Sequence, residues 1–346
     1  MQALILAGGK GTRLRPLTVY TPKPIVPILN RPLLRYQIEM LARAAITDIT
    51  LSLSYLPDKI EDVVGDGSDL GVNLRFVTEP SPMGTAGAYK FAAGSIRETT
   101  VVFNGDIITD VDVAGVIETH RANAAEATIL LTPVDDPTKY GLVESGEKGE
   151  VVAFLEKPSA DAVSKLKTKN INAGLYILEP GILELIPTGE NCSFEYDVFP
   201  RVIKGGRKFF GHVLKTEYWR DVGTPDSYLS AHHDFLAGKI KQFSPAETAA
   251  SDLATTAEVD GVSIIGEGCV IKPHARITNS VLGPGVHVDE RATIANSVIW
   301  AHTRIGTAAD IDGAVVGRSC YLGRNCSVRP GAVLGDKTSL PDYSKT

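Results

Sequence analysis

The chain has 346 residues, 43% apolar and 22% charged, with a formal net charge of −6. That is enough chain for two cores, and with no run of five or more like charges it excludes nucleic-acid binding by bulk charge. No stretch approaches the roughly 18 apolar residues of a membrane span, and the opening run Ala3 to Ala7 is too short for a signal peptide, so neither membrane nor export is expected.

In chain order, Gln2 to Leu6 reads as a short apolar strand that runs directly into Gly8-Gly9-Lys10-Gly11-Thr12-Arg13. Glycines there admit positive φ and close backbone approach, and a row of N–H groups beyond a strand forms an anion nest suited to phosphate. The spacing is neither GxGxxG nor a P-loop, and glycine alone leaves a bare tight turn open. The neighbours favour phosphate. Arg13 follows the nest, Arg15 precedes Pro16, and Lys23 stands between Pro22 and Pro24, which are expected to hold it extended and stiff. Several cations beside one nest suit a polyphosphate.

Pro32 to Ala45 places Leu34, Ile38, Leu41 and Ala45 on one helical face. Ile49 to Leu53, Leu74 to Val77 and Val101 to Phe103 read as further strands with helical stretches between them. This βαβ rhythm predicts an α/β fold with a mostly parallel sheet covered on both faces. Pro225 to Leu236 closes this half as a helix, with Thr224 as cap and Gly238 as stop. Residues 238–260 are small and polar and read as a linker. The expected domains are therefore 1–237 and 261–346.

The second half has another period. Ile265, Ile271, Ile277, Leu282, Val288, Ile294, Ile299, Ile305, Ile311, Val316, Leu322, Val328 and Leu334 follow one another in steps of five or six. Most precede a small or turn-compatible residue, as in Ile265-Gly266, Leu282-Gly283 and Val316-Gly317, and most six-residue units carry a small residue four positions on. A triangular coil explains both features: aliphatic side chains point inward and small ones let the corners close. The pattern resembles the left-handed parallel β-helix of hexapeptide-repeat proteins. It puts Cys269, Cys320 and Cys326 in corner slots, and with Cys192 they form no CxxC pair, so a reduced, cytoplasmic protein is expected. The coil is expected to be a spacer or oligomerisation surface, giving a homo-oligomer. The alternative is acyl transfer with His274, His287 or His302 as base.

"GGKGTRLRPLT" with "PKP" resembles the signature of sugar-1-phosphate nucleotidyltransferases, and later segments fit in order: "FNGDII", "YGLVE", "FLEKP", "NAGLYIL" and "WRDVGTP". The resemblance spans residues 1 to about 237, and a C-terminal β-helix occurs in several branches. It implies a Rossmann-like domain that joins a nucleoside triphosphate to a sugar 1-phosphate and releases pyrophosphate. The attacking phosphate is already ionised at neutral pH, so the enzyme needs cations and Mg²⁺ rather than a general base.

The resemblance implies Asp106 and Asp221 as Mg²⁺ ligands, consistent with the preference of that ion for a few carboxylates plus phosphate oxygens. Arg13 is expected to stabilise charge on the departing pyrophosphate, and Lys23 to hold the triphosphate or the attacking phosphate. Leu6, Gly8, Gly9, Gly11, Thr12, Arg13, Glu79, Gly84, Thr85 and Asp106 are the implied nucleotide contacts. Lys23 and Lys157 are expected on the sugar phosphate, with Gly141, Glu156 and Asn172 on the sugar hydroxyls.

"TEPSPMGTAGA" resembles the base-recognition loop, where thymidylyl- and uridylyltransferases often place glutamine and this chain has Glu79. A carboxylate only accepts hydrogen bonds, and guanine offers two adjacent donors, N1–H and N2–H₂. Glu79 therefore favours GTP, and the family's guanylyltransferases with this signature and tail usually use mannose 1-phosphate. The alternatives are a glucose-1-phosphate thymidylyl- or uridylyltransferase, and a non-catalytic paralogue that senses nucleotide sugar.

Overall fold

The computed structural model describes residues 1–94, 97–166, 168–243 and 250–346. The chain divides into two compact units, residues 1–9 with 34–219, and residues 10–33 with 220–346. By contacts, the stretch that carries Arg13 and Lys23 groups with the C-terminal half.

The first unit is built on a nine-stranded sheet. Gln2–Leu6 lies between Asp48–Leu53 and Thr100–Asn104, and Asn73–Thr78 adds beyond Asp48–Leu53, all parallel. Leu4, Ile5, Leu51, Val102 and Phe103 are wholly buried, as near-continuous apolar strands must be when both faces are covered. Asn170–Leu178 then pairs antiparallel with both Thr100–Asn104 and Ala127–Pro133. The sheet is therefore mixed: parallel where the chain begins, antiparallel on both sides of Asn170–Leu178, and parallel again where Phe209–Val213 joins Ala127–Pro133. The register of that strand shifts between Asn172 and Tyr176, where Gly174 takes a φ of 76°. This is a bulge that re-aims side chains at one point of the strand.

The second unit contains three parallel ladders of two- and three-residue strands, one per face of a three-sided coil. Ile271, Val288, Ile305 and Leu322 stack in register on one face, Ile277, Ile294 and Ile311 on the next, and Ile265, Leu282, Ile299 and Val316 on the third. Every expected inward residue from Ile265 to Val328 is at most 1% exposed. The five-residue steps have their own chemistry. Ser263 Oγ accepts from Ser280 N at 3.0 Å, Ser280 Oγ from Ser297 N at 3.0 Å, and Ser297 Oγ from Ala314 N at 3.1 Å, a ladder that satisfies backbone donors where the corner is short. All four cysteines are free and buried. His274 and His302 occupy left-handed corners, and His287 lies exposed on a strand.

The coil begins earlier than expected. Asp252–Leu253 pairs with Val270–Ile271 and Glu258–Val259 with Arg276–Thr278, inside the stretch read as a linker. Leu253 and Val259 continue the six-residue step back from Ile265 and pair with Ile271 and Ile277, so the aliphatic series extends into this stretch. Residues 244–249 of that stretch lie outside the described residues. The helix Pro225–Leu236 starts and stops as expected: Thr224 accepts from Ser227 N, and Gly238 takes a φ of 68°.

Ile294→Ala tests the coil as a packed core. Ile294 is 0% exposed and stacked between Ile277 and Ile311, so its truncation is expected to cost about 2–4 kcal/mol in urea unfolding. A loss below about 1 kcal/mol shows that the stack is not the source of stability.

Candidate active site

In the first unit, the carboxyl ends of the parallel strands and the segments that leave them carry Leu6, Gly8, Gly9, Glu79 and Asp106 of the expected nucleotide residues. Gly105 N–H donates to the Leu6 carbonyl at 2.8 Å, and a Cβ on Gly105 meets that same oxygen at 2.8 Å. Only glycine permits this crossing, and it turns the half-buried Asp106 out at the sheet edge where ligands of such folds bind. Two residues before it, Asn104 Oδ1 is buried with no hydrogen-bond partner among the described residues.

Glu79 lies against the glycine turn. A Cβ on Gly8 meets Glu79 Oε1 at 2.8 Å, so a side chain at Gly8 displaces the carboxylate, whereas Gly9 has open space around it. Ser52 Oγ donates to Oε1 at 3.0 Å and Met83 N–H to Oε2 at 3.3 Å, fixing the carboxylate plane. Each oxygen keeps a second lone pair for an outside donor. Burial raises the Glu79 pKa, and the two hydrogen bonds offset part of that.

Gly84 and Thr85 have protein partners that account for them. Gly84 takes a φ of 72° with its Cα against the Cys192 carbonyl, where a Cβ comes within 2.5 Å. Thr85 Oγ1 donates to Glu195 Oε2 at 2.8 Å and accepts from Phe194 N at 2.9 Å.

The expected sugar residues share one region. Gly141 and Glu156 are register partners on adjacent strands, and a Cβ on Gly141 meets Glu156 Oε2 at 2.8 Å. Lys157, with a φ of 46°, donates its N–H to the Tyr140 carbonyl at 3.0 Å and holds Nζ 3.7 Å from Glu156 Oε1. The Lys157 side chain is 62% exposed and that of Glu156 13%, so the amine is free to reach outward over a fixed acid. Burial raises the Glu156 pKa, and the charge of Glu195 raises it further. Asn172 Oδ1 accepts from Gly174 N at 2.9 Å, and its Nδ2 donates to the Tyr176 hydroxyl at 2.8 Å.

Three residues here escaped the sequence reading. The Tyr176 phenol is buried and kept protonated by burial and by the charge of Glu195, and it donates to Glu195 Oε1 at 3.3 Å. Glu195 stands on a short helical turn, Phe194–Val198, which carries none of the motifs quoted from the sequence. Trp219 Nε1 donates to the Ala173 carbonyl at 2.8 Å, and its ring stands edge-on to Tyr140 at 5.8 Å, tying the bulged strand to the Gly141 loop. Trp219 was legible only as the first residue of the aspartate motif.

In the second unit, Gly11 takes a φ of 61° and caps a short 3₁₀ turn, Thr12–Leu14. A Cβ on Gly11 meets Lys23 Cβ at 2.9 Å, so glycine lets the lysine segment approach the start of the loop. Lys23 is not extended as expected but begins another 3₁₀ turn, Lys23–Ile25; proline is tolerated in a first turn, and Pro24 sits there. Lys23 is only 7% exposed. Its Nζ lies 3.7 Å from Asp221 Oδ1, and Arg13 Nη2 lies 3.7 Å from Asp221 Oδ2. Those distances are longer than a charge-assisted hydrogen bond, so three charges are grouped without being locked together. A Cβ on Gly223 meets both Asp221 Oδ2, at 2.8 Å, and Arg13 Nη2, at 2.9 Å, which is why glycine follows this aspartate motif.

Among the described residues no group of three or more His, Cys, Asp or Glu side chains is placed to hold a metal. Asp106, in the first unit, and Asp221, in the second, each offer carboxylate oxygen, the donor type taken by a hard ion that completes its shell with phosphate oxygens and water.

A family model described as nucleotidyl transferase matches residues 2–238, and one described as the EIF2B subunit epsilon LbH domain matches residues 247–345. A mannose-1-phosphate guanylyltransferase of Mycobacterium tuberculosis is 38% identical over 81% of this chain and 79% of its own. The mannose-1-phosphate guanylyltransferase catalytic subunit beta of Drosophila pseudoobscura pseudoobscura is 36% identical over 78% and 72%. A solved structure from Bacillus anthracis, assigned as a glucose-1-phosphate thymidylyltransferase and holding a sucrose, superposes with a TM-score of 0.60 at 25% identity, covering 67% of this chain and 94% of that one. No helix among the described residues is long and apolar enough to cross a membrane.

Proposed function

The chain belongs to the nucleotidyl transferase family, and from that premise we propose that it transfers guanylyl from GTP to mannose 1-phosphate, giving GDP-mannose and pyrophosphate. The observation that carries the base is Glu79: a carboxylate held by Ser52 and Met83 beside the glycine turn, with lone pairs left for two adjacent donors. Adenine, uracil and thymine offer no such pair. The sugar is drawn from the relatives named as mannose-1-phosphate guanylyltransferases.

In this reading a phosphate oxygen of the sugar attacks the α-phosphorus in line. The bond to the bridging oxygen of the β-phosphate breaks, and pyrophosphate leaves with the electron pair. Both reactants are anions, so alignment and charge neutralisation are the main tasks. Arg13 neutralises the leaving group, Lys23 the triphosphate or attacking phosphate, and Lys157 the sugar phosphate. Glu156, Gly141 and Asn172 meet sugar hydroxyls, and the pinned amide of Asn172 does so without rotating. Asp106 and Asp221 are the proposed Mg²⁺ ligands; bound there, the ion supplies positive charge against the phosphates. A homo-oligomer assembled through the coil belongs to the same reading.

The test is pyrophosphate release over a grid of GTP, ATP, UTP and dTTP against mannose, glucose and galactose 1-phosphates. GTP with mannose 1-phosphate is expected to have the highest kcat/KM. A preference for UTP or dTTP rejects the base reading, and a preference for glucose 1-phosphate rejects the sugar.

A further inference from the structure

One face of the coil breaks its own rule at a single rung. On the ladder of Ile264–Ile265, Val281–Leu282, Val298–Ile299, Val315–Val316 and Val333–Leu334, the residue after each strand is Gly266, Gly283, Trp300, Gly317 and Gly335. Glycine is needed at three of the others: a Cβ comes within 2.6 Å of the next turn's backbone at Gly266, 2.5 Å at Gly283 and 2.6 Å at Gly317. Tryptophan in that slot is the largest possible departure, yet Trp300 is 1% exposed.

Trp300 packs against Tyr228 of the helix that follows Asp221, ring centres 6.2 Å apart, and through Tyr228 it reaches the cation segment. Trp300 Nε1 donates to the Tyr228 hydroxyl at 2.8 Å, and that hydroxyl donates to the Pro27 carbonyl. The Arg318 guanidinium lies 5.4 Å from the Trp300 ring centre. Pro27 stands directly after the turn that presents Lys23, which Val26 N–H closes onto the Lys23 carbonyl at 3.1 Å. One residue before Tyr228, Ser227 Oγ donates to the Asp221 carbonyl. Further along, Asn30 Nδ2 donates to the Leu282 carbonyl of the coil at 2.8 Å. A Cβ on Gly335 comes within 3.0 Å of Pro16 Cβ.

We propose that the β-helix is the brace of the cation cluster, and that Trp300 is a positioning residue that sets Lys23 and Asp221 through Tyr228. A spacer needs no hydrogen bonds to the loop it carries; here Asn30 of the loop bonds the coil, and Trp300 of the coil bonds the Tyr228 that grips the loop. The rung where tryptophan replaces glycine is the one aligned with the helix after Asp221. The inference rests on the reading of Lys23 as a phosphate ligand.

The test is Trp300→Phe, which keeps a ring and removes the N–H, measured alone and in a Lys23→Met background. Alone, kcat/KM for the triphosphate is expected to fall about five- to ten-fold, with the melting temperature and oligomer size little changed. In the Lys23→Met protein the same change is expected to have less than a two-fold further effect, because the group it positions is gone. Wild-type kinetics from Trp300→Phe overturn the brace while leaving Lys23 intact. An undiminished loss in the Lys23→Met background overturns the route through Lys23. Wild-type kinetics from Lys23→Met alone overturn the reading of Lys23 and the positioning claim with it. Should Trp300→Phe fold poorly, Asn30→Gly gives the second arm: glycine keeps the φ of 65° at that position and removes only the bond to the coil. A fall in kcat/KM of about three-fold or more supports the brace, and none rejects it.

Discussion

Asp106→Asn is expected to lower turnover by about a thousand-fold at millimolar Mg²⁺ while the fold persists. The substitution keeps the shape of the side chain and removes one negative charge, the property a hard divalent ion selects for. Asp106 is half-buried in the turn after Thr100–Asn104, and the turn is set by the Gly105 contact with Leu6 rather than by the carboxylate. The melting temperature is therefore expected to move by no more than a few degrees. Calorimetric titration with Mn²⁺ and nucleotide gives a readout independent of rate: the metal-dependent part of nucleotide binding is expected to disappear with activity. Near-wild-type turnover from Asp106→Asn removes this residue from the metal site. The same change at Asp221 is expected to act in the same direction, with an added disturbance of Arg13 and Lys23, each 3.7 Å from its carboxylate.

Glu79→Gln is expected to reverse the nucleotide preference. The internal bonds survive, since the amide oxygen can take the Met83 N–H and the amide nitrogen can donate to Ser52, whose hydroxyl both gives and accepts. What changes is the outward edge. An acceptor-only carboxylate becomes a donor–acceptor pair that matches uracil and thymine and leaves one guanine donor unmatched. A bidentate pair is worth about 1–3 kcal/mol of discrimination, so the ratio of kcat/KM for GTP over UTP is expected to fall about 10- to 100-fold. The pH profile gives a second check. Burial raises the Glu79 pKa, so as pH falls the carboxylate takes up a proton above the ordinary glutamate range and loses acceptor capacity. KM for GTP is expected to rise toward acid in the wild type, and this rise is absent in Glu79→Gln. An unchanged nucleotide profile in the variant rejects Glu79 as the base reader.

The local rules of the chain were legible because they repeat or because one residue type alone satisfies them. The coil was readable from its aliphatic steps, since a side chain that points into a stacked core must recur at each rung. Two glycines of the first turn were readable because a missing Cβ is a property of glycine itself, and the structure shows what they clear: Glu79 at Gly8 and Lys23 at Gly11, which alone of the three takes a positive φ. Asp106 was readable as the residue that ends a buried strand. Tertiary structure decided the rest. Glu195 and Tyr176 form one network with Asn172 only because a bulge at Gly174 and a distant short helix bring them together, and no spacing in sequence encodes that approach. The coil's first turn lies in a stretch of mainly small and polar residues, where only Leu253 and Val259 carry the aliphatic step; the pairing of Asp252–Leu253 and Glu258–Val259 with the next rung, with Arg276 on Glu258, is what assigns it to the coil. Residues 10–33 read as part of the first domain, since sequence order is the only proximity a sequence displays. They fold with the C-terminal half because Asn30, Pro27 and Pro16 find their partners there, in hydrogen bonds and contacts that span more than 200 residues of chain.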